Sequence, residues 1–301
     1  MSDSMLVFDR PAVRRHRDRA AASIDDADFL FRESAERLLD RLNDVTRTFP
    51  LALDLGCHSG TAAAAHAKIG RLIQCDMSPA LARRAAGNGR ATFVADEDFL
   101  PVADGSLDLV ISNLSLHWVN DLPGALIQVR RALKPDGLFL GALLGTDTLK
   151  ELRAVLLEAE AEIAGGAGRR VSPFTDVRDA GGLLSRAGFA LPVVDADAIA
   201  VTYADMFRLM ADLRAMGETN AVLERRKQLS RRDVFARAAE IYAERHTDTR
   251  GRVVATFQIV TMTAWAPHPK QQQALRPGSA KTRLADALDS AEVVLPQRPK
   301  T

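Results

Sequence analysis

The sequence predicts an α/β fold, a doubly wound and mostly parallel seven-stranded sheet, and three observations support this class. Apolar runs typical of buried strands alternate five times with helical patterns over residues 49–145. The first of these runs, residues 51–60, ends in an acidic residue and two glycines. Two more strand patterns, residues 190–203 and 252–265, are separated by a long charged helical stretch and would complete the sheet as a hairpin pair.

Composition indicates a globular protein with no general attraction for nucleic acid. The chain has 301 residues, 47% of them hydrophobic, and a formal net charge of +1, which gives no long-range field toward polyanions. No apolar run approaches the length of a membrane span, and residues 1–10 lack the apolar core of a signal peptide. We therefore expect a cytoplasmic protein without nucleic-acid partners, whose association with a membrane would be peripheral. Cys57 and Cys75 lack CxxC spacing and are expected to be reduced thiols that serve packing.

The pattern along the chain divides it into five segments. Arginine-rich helical sequence precedes the first strand, a charged helical insert separates the last two strands, and a polar tail without a sustained apolar period ends the chain. The expected segments are an N-terminal helical lid at 1–48, a cofactor-binding core at 49–203, a helical cap at 204–250, the last strand of the core at 251–266 and a disordered tail at 267–301. Lid and cap would cover the ligand pocket, and the cap would set the substrate.

The turn after the first strand has the composition of a ligand-binding loop. Gly56 and Gly60 let the backbone approach a ligand closely, and a helix expected over residues 61–68 would direct its free N–H groups at that ligand. A dinucleotide fingerprint requires glycine at the position of His58, so spacing alone does not identify the cofactor. Asp54 favours S-adenosylmethionine (SAM), because its carboxylate can accept hydrogen bonds from the ammonium group of that cofactor.

Acidic residues follow the second and third strands, where a nucleoside would lie. Asp76 stands 76 − 56 = 20 positions after Gly56, the offset at which a carboxylate accepts from ribose hydroxyls in nucleotide-binding α/β folds. Asp96 and Glu97 follow the third strand, and one of them, with Asp96 preferred, could accept from the adenine amine. We assign these acids, with Met77 beside the ribose carboxylate, to cofactor binding.

Polar and aromatic residues gather after the fourth strand, where a substrate would meet the cofactor. Asn113 is assigned to cofactor binding and, together with His117, to the reaction. His117 is a candidate general base, or it is a hydrogen-bonding wall of the pocket. Trp118 is expected to pack at the same mouth, on the substrate or lid surface.

Basic residues crowd the N-terminal helix and recur in the cap. One interpretation of the N-terminal run is a solvated helix face, and the other is a lid that brings a basic side chain to an acidic group of cofactor or substrate. The candidate lid residues are Arg10, Arg14, Arg15, His16 and Arg17. In the cap, three arginines would recognise a carboxylate if the substrate were an acid. They are Arg208, Arg214 and Arg225.

Two sets of motifs resemble known families. The LDLGC-x-x-G turn, the acids after the second and third strands, the HW pair and the LKPDG segment before the fifth strand resemble the class I SAM-dependent methyltransferase superfamily. The segments FDRPAVRRHRDRAA, SPFTDV, LLSRAGF, MFRLMADLRAMGETNA and ATFQIVTMTAW look like the mitochondrial complex I assembly factor 5 family and its alphaproteobacterial relatives. The second resemblance covers nearly all of residues 8–265 and is the more specific, because cap sequences vary most within this fold.

The second resemblance implies SAM as cofactor and a protein as substrate. It implies hydroxylation of an arginine on a core subunit of respiratory complex I (NADH dehydrogenase), rather than a demonstrated methylation. The biotin-pathway enzyme that methylates malonyl-acyl-carrier protein shares the same core. One alternative is therefore SAM-dependent methylation of a small or carrier-linked carboxylic acid, and another is a non-catalytic assembly chaperone that keeps SAM as a structural ligand.

Hydroxylation raises the question of a metal, and the sequence does not predict a metal site. A non-haem iron centre needs two histidines and a carboxylate with open positions. His246 and Asp248 have suitable H-x-D spacing, but no third ligand can be identified. A histidine at the end of a predicted helix also has an ordinary electrostatic role there.

Overall fold

The computed structural model describes residues 6–61, 66–166, 168–271, 278–279 and 281–291. The strands in this part of the chain are β1 (Phe49–Leu55), β2 (Ile69–Asp76), β3 (Ala91–Val94), β4 (Leu107–Asn113), β5 (Leu133–Leu144), β6 (Ala190–Tyr203) and β7 (Val253–Trp265). The α-helices are α1 (Arg10–Ala20), α2 (Phe29–Asp40), α3 (Pro79–Ala86), α4 (Leu122–Ala132), α5 (Lys150–Ala164), α6 (Val177–Arg186), α7 (Met206–Ala215), α8 (Arg232–Arg245) and α9 (Leu284–Ala287). Short 3-10 helices cover Ile24–Asp26 and Leu116–Trp118.

The strands form one seven-stranded sheet in the order β3-β2-β1-β4-β5-β7-β6. All pairs from β3 to β5 are parallel, whereas β7 runs antiparallel to both β5 and β6. The strand order reverses between β1 and β4, the position at which open α/β sheets bind ligands. The predicted fold class is confirmed, with β6 and β7 as an edge pair and the cap helices α7 and α8 between them in sequence.

Each face of the sheet buries its own apolar cluster. Side chains alternate along β5, so that Leu140 points into one cluster and Phe139 into the other. The first cluster includes α2, α5 and the cap helices, and the second includes α4 and α6. Cys57 and Cys75 are free and buried, and burial raises the pKa of both thiols well above the ordinary value, which fits the expected packing role.

Two local predictions differ from the structure. Of the helix expected over residues 61–68, residue 61 and residues 66–68 lie outside any helix, and residues 62–65 are outside the described part of the chain. The N–H of Ile69 donates to His66 O at 3.0 Å in a single turn, and β2 begins at Ile69, so residues 66–68 connect directly into the strand. The continuous N-terminal helical pattern is divided into α1 and α2 by the 3-10 turn Ile24–Asp26.

In the part of the chain that the structure describes, no helix is long and apolar enough to cross a membrane. Residues His268–Thr301 form a unit separate from Met1–Pro267. Helix α9 lies in this second unit, and the expected disorder of the tail stays a prediction.

Candidate active site

The carboxyl ends of β1, β2 and β4 meet where open α/β sheets bind ligands, and we call this region, with the turn after β1 as its floor, the crevice. Gly56 has a φ of +73°, and a Cβ atom there would lie 2.0 Å from Ser115 Oγ. Gly60 has a φ of +76°, and a Cβ atom there would lie 2.6 Å from the Cβ of Ala85. Both positions require glycine, because the backbone is left-handed and no space exists for a side chain.

His58, where the resembled motif usually has glycine, adopts the glycine conformation with a φ of +49°. Its ring lies 4.2 Å from the ring of Phe31, and Nε2 lies 3.1 Å from Asn113 O and 3.2 Å from Leu114 O. Burial and the charge of Arg17 lower the pKa of His58. The neutral imidazole therefore bridges the turn and the end of β4, and the turn keeps its shape despite the substitution.

Asp76 ties this turn to the end of β2. Its Oδ2 accepts from His58 N at 3.1 Å, and its Oδ1 accepts from Ser78 N at 2.8 Å, next to the start of α3. The N–H of Gly56 donates to Cys75 O at 2.9 Å. Several N–H groups that the sequence led us to expect at a ligand are thus already bonded within the protein.

Asp54 lies at the end of β1 and is held differently from the other acids. Its Oδ2 accepts from Gln74 Nε2 at 3.1 Å, and the same amide donates to Gly60 O at 3.0 Å. Burial, with a contribution from the charge of Asp76, raises the pKa of Asp54 to about 7, although the Gln74 hydrogen bond opposes the shift. Asp54 therefore changes charge near neutral pH.

Arg17 of α1 fills the centre of the crevice. The side chain is 1% exposed, and its Nη1 lies 2.7 Å from Glu97 Oε1 and 3.5 Å from Asp76 Oδ2, while Nη2 donates to Ser115 Oγ at 2.8 Å. Burial by itself would raise the pKa of Glu97, but Arg17 and Arg10 hold it well below the usual range. Burial would also lower the pKa of Arg17, and the two carboxylates raise it instead. Both groups are charged at neutral pH, so this is a buried ion-pair network.

Arg10 pairs with the acids that follow β3. Its guanidinium contacts both Asp96 and Glu97, its Nε lies 3.4 Å from Asp98 Oδ2, and Nη1 donates to Trp118 O at 3.2 Å. Arg10 and Arg17 are seven positions apart and therefore share one face of α1 after two helical turns. All the nucleoside-binding acids predicted from sequence meet at one place, and two α1 arginines lie against them.

The remaining lid candidates point elsewhere. Arg14 and Arg15 are exposed, and Arg14 Nε lies 3.9 Å from Asp18. His16 Nδ1 lies 3.0 Å from Thr219 O in the segment after α7. The lid was expected to contact an acidic group of cofactor or substrate, whereas the α1 arginines contact carboxylates of the crevice itself.

The three cap arginines are dispersed rather than clustered. Arg208 lies 3.6 Å from Asp212 on the surface of α7, and Arg225 donates to Asp9 Oδ2 at 2.8 Å next to the start of α1. Arg214 is exposed and borders a cavity described below. They do not form one carboxylate site.

His117 and Trp118 share a buried acceptor, Glu218. His117 Nε2 lies 3.0 Å from Glu218 Oε2, and Trp118 Nε1 donates to the same oxygen at 2.9 Å. Burial by itself would raise the pKa of Glu218, but His117 and the nearby charge of Arg17 lower it. Trp118 also packs with Met77 in a small apolar cluster. Met77, which the sequence assigned to cofactor binding next to Asp76, is therefore buried against Trp118.

Several buried polar atoms at the crevice have no hydrogen-bond partner among the described residues, and three of them belong to histidine or asparagine side chains. These three atoms are His58 Nδ1, Asn113 Oδ1 and His117 Nδ1. The amide nitrogen of Asn113 is occupied, since it donates to Phe31 O at 2.8 Å. Because buried polar atoms are normally paired, these atoms fit a site that accepts a polar ligand.

A cavity of about 140 Å³ lies on the other side of Trp118. Its walls are mostly apolar and come from α2, β5, α5, α7 and β7. They include Leu30, Leu152, Leu156, Met210 and Phe257, and Glu218 is part of the lining.

Sequence reasoning missed Glu218. Its partners His117 and Trp118 lie 101 and 100 positions earlier, so no local spacing relates them. A single glutamate within a charged helical stretch carries no signal of its own, because such residues are usually solvated.

A metal centre is not found in the described residues, where no group of three or more His, Cys, Asp or Glu could hold a metal ion. His246 follows α8, and its ring lies 5.5 Å from that of Tyr242. Asp248 Oδ1 accepts from the N–H groups of Arg250 and Arg252 at 2.8 and 2.9 Å. The H-x-D pair belongs to the turn that leads into β7.

Comparisons with known proteins agree with this architecture. Residues 53–141 match the family model described as a methyltransferase domain. The chain is 46% identical over 288 residues to "Arginine-hydroxylase NDUFAF5, mitochondrial" of Danio rerio, which covers 94% of this chain and 89% of that protein. It is 36% identical over 284 residues to the malonyl-[acyl-carrier protein] O-methyltransferase of a Methylovorus strain, covering 90% of this chain and 93% of that protein.

Among solved structures, the YcgJ protein of Bacillus subtilis has a TM-score of 0.55 at 14% identity, over 77% of this chain and 99% of that chain. At this identity the likeness supports the fold alone. The sequence relatives extend over lid, core and cap, and the arginine-hydroxylase relative is more similar than the O-methyltransferase. Because it has the methyltransferase fold and is 46% identical to this relative over nearly the full length of both chains, the chain belongs to the arginine-hydroxylase NDUFAF5 family.

Proposed function

We propose that this protein is an enzyme that binds SAM in the crevice and hydroxylates an arginine side chain of a protein partner during assembly of respiratory complex I. The observation that carries the proposal is the meeting of Asp76, Asp96 and Glu97 at the ends of neighbouring strands. These acids lie where sheets of this topology hold a nucleoside. The chain that carries them is 46% identical to an arginine hydroxylase.

The crevice residues fit the chemical groups of SAM. Asp76 would accept from the ribose hydroxyls, Asp96 or Glu97 from the adenine amine, and ionised Asp54 from the ammonium group. Gly56 and Gly60 would keep the backbone close to the ligand, and the unpaired atoms of His58 and Asn113 offer further polar contacts. When bound, SAM supplies an activated sulfonium methyl group, or it serves as a structural ligand.

The α1 helix and the cofactor would compete for the same carboxylates. Arg17 and Arg10 already contact Asp76, Asp96 and Glu97. The hydroxyl and amine groups of a nucleoside would have to donate to the same carboxylates that both guanidinium groups now contact. Helix α1 would therefore shift as SAM binds, which gives the N-terminal lid a role different from contact with the ligand.

Arginine hydroxylation requires an oxidant as well as a binding site. Inserting oxygen into a C–H bond consumes dioxygen, two electrons and two protons; one oxygen atom forms the new C–O–H group and the other leaves as water. We assign the oxidant to dioxygen and the electrons to an external two-electron reductant. The role of this chain's residues is to hold the arginine and exclude water.

His117 is the candidate residue for handling a proton. Its Nε2 is bound to Glu218, and its buried Nδ1 has no partner among the described residues. Nδ1 is therefore the nitrogen available to accept a proton from a substrate or donate one to it. Asn113 would orient either ligand through its unpaired Oδ1.

A second candidate function is methylation of a carboxylic acid, and one observation favours it. Arg170 and Arg214 both border the apolar cavity, and the chain is 36% identical to an O-methyltransferase of a malonyl carrier. In that reaction a carboxylate oxygen bonds to the methyl carbon as the carbon–sulfur bond breaks, and S-adenosylhomocysteine leaves without a proton transfer.

Mass spectrometry of complex I subunits separates these functions. Cells with the wild-type gene, without it, and with Asp76→Asn would be compared. Asp104→Asn is the control, because Asp104 is exposed and pairs with Arg131 at the surface. We expect an arginine that carries an added oxygen in the wild-type and Asp104→Asn strains and lacks it in the deletion and Asp76→Asn strains. An added methyl group on an acid would favour the second function, and unmodified subunits in all strains would contradict both and leave a non-catalytic chaperone.

A further inference from the structure

We propose that the apolar cavity beside Trp118 binds the substrate's arginine side chain, with Glu218 as the residue that selects its guanidinium group. This inference rests on the proposed function, because it gives the arginine of the partner a place in the molecule. Glu218 lies among mostly apolar walls, where an ionised carboxylate is costly unless it is paired.

The carboxylate of Glu218 retains an acceptor for a ligand. Among the described residues, both hydrogen bonds that reach it, from His117 and Trp118, fall on Oε2. The side chain is only 6% exposed and it lines the cavity, so Oε1 is the oxygen left for an incoming donor. A buried carboxylate in this state favours a cationic donor, since charge-assisted hydrogen bonds are the strong ones.

Charges around the cavity support a cation at this inner end. Arg170 borders the cavity, but its charge is matched by Glu160 Oε1 at 2.6 Å and it also donates to Ser230. Arg214 is exposed on α7 and borders the cavity from the solvent side. A carboxylate ligand could meet Arg214 at that rim, but not the negatively charged Glu218 deeper in.

The shape of the walls suits an arginine. Leu152, Leu156 and Met210 would cover the aliphatic stem, whose burial is favourable by the hydrophobic effect. The rings of Phe174 and Trp118 border the same space and would face a planar guanidinium. Mostly apolar walls, in which Glu218 is the one carboxylate of the described lining, beside Ser172, Thr219 and Asn220, match this side chain better than a wholly polar ligand.

The position of the cavity connects it to the crevice. Trp118 lines the cavity, and its backbone oxygen accepts from Arg10 in the acid cluster. His117 lies between the two, with Nε2 on Glu218 and Nδ1 unpaired. A guanidinium bound at Glu218 would therefore lie beside the residue proposed to handle a proton.

Binding of small probes to the full chain tests this assignment. The probes are Nα-acetyl-L-arginine methylamide, its neutral citrulline analogue, and malonate as a carboxylate, each titrated by calorimetry or ligand-detected NMR. Wild type should bind the arginine probe about 10-fold or more tightly than citrulline, the effect of one charge-assisted hydrogen bond. Glu218→Gln should lose that preference.

Matched variants keep the result interpretable. Glu224→Gln changes an exposed glutamate of the same segment, 3.6 Å from Arg169, and should bind all probes as wild type does. SAM titration of Glu218→Gln should stay within about 3-fold of wild type if the fold is intact. If wild type binds no SAM but still prefers the arginine probe to citrulline, the proposed cofactor is overturned. The assignment of the cavity to the substrate arginine would then still hold.

Several outcomes would overturn the assignment itself. They are equal affinity for arginine and citrulline, an unchanged preference in Glu218→Gln, and no binding of the arginine probe by wild type at about 10 mM. Tight binding of malonate that is lost in Arg214→Gln would replace it with the carboxylate site of the second function.

Discussion

The crevice and the cavity meet at Trp118 and are built in opposite ways. The crevice is crowded with charges, and guanidinium groups from α1 fill it. The cavity keeps a volume of about 140 Å³ behind apolar walls with one carboxylate at its inner end. The difference teaches that the chain fills the crevice, the proposed cofactor region, with its own cations, while it leaves the cavity, the proposed substrate region, open.

The contrast is energetic as well as geometric. In the crevice, removing one ion partner leaves another charge buried and unpaired, which is costly. In the cavity, trimming a side chain loses only apolar contact, and its cost follows the volume removed. Stability measurements can therefore tell the two regions apart.

The largest expected effect is that of Arg17→Met. Removing the guanidinium leaves Asp76 buried without its cation and Glu97 with Arg10 as its remaining cation, so the free energy of unfolding should fall by about 3 kcal/mol or more in urea denaturation. Arg14→Met, on the exposed side of the same helix, is the control and should change it by less than about 0.5 kcal/mol. Equal effects of the two substitutions would show that the network is not a stabilising feature.

The next effect is a pH dependence that belongs to the crevice alone. Because the folded pKa of Asp54 is about 7 and the unfolded value is near 4, the folded state holds the extra proton between these values. The stability from Asp54 is therefore present at low pH and falls as the pH rises through this window, by up to about 3 kcal/mol from pH 5 to pH 8. Glu97 has the opposite sign: its pKa is lowered, so its contribution is present above about pH 4.3 and is lost in acid.

Urea unfolding at pH 5 and pH 8 checks this prediction. From pH 5 to pH 8 the free energy of unfolding should change less unfavourably in Asp54→Asn than in wild type, by the Asp54 contribution, and Leu152→Ala in the cavity should keep the wild-type change. The lowered pKa of His58 acts with the opposite sign in all three proteins, so the comparison between them isolates Asp54. An Asp54 variant with the full wild-type pH dependence would show that this carboxyl titrates at its ordinary pKa.

A smaller effect is expected in the cavity from Leu152→Ala itself. Leu152 is buried but already borders empty space, so the free energy of unfolding should fall by about 2 kcal/mol, the lower end for such truncations. The loss should not depend on salt or pH, in contrast to Arg17→Met. A loss that varies strongly with salt would indicate that the cavity wall is coupled to the ion network.

The smallest expected effect is a change in the mobility of α1. If SAM displaces Arg17 and Arg10, the backbone amides of Arg10–Ala20 should exchange hydrogen several-fold faster in saturating SAM than without it, while those of α5 stay unchanged. Slower exchange throughout α1 would mean that the arginines remain in place and the cofactor binds elsewhere or alongside them.

Much of the fold was predictable because its signals are local. The apolar runs of the parallel strands and the alternation in β6 and β7 mark their positions along the chain, and the carboxyl ends of neighbouring parallel strands must meet. From that rule, the sequence alone predicts that Asp76, Asp96 and Glu97 lie close together. Local patterns could not show that 66–68 form a turn rather than the end of a helix.

The rest of the site depends on contacts between distant segments. The sequence offered two interpretations of the basic N-terminal run, and only the packing of α1 places Arg17 against Glu97 80 positions later. Glu218 acquires its role from His117 and Trp118, which no spacing relates to it. The left-handed backbone of His58 likewise leaves no signal in the sequence, because the contacts that hold it come from Phe31 and the end of β4.

Calorimetric titration with SAM and with NAD tests the central claim most directly. The account predicts heat of binding for SAM with wild type, none for NAD, and an affinity for SAM that is about 10-fold or more weaker in Asp76→Asn, since an ionised acceptor is lost. Heat with NAD and none with SAM, or an Asp76→Asn variant that binds SAM as tightly as wild type, would contradict it.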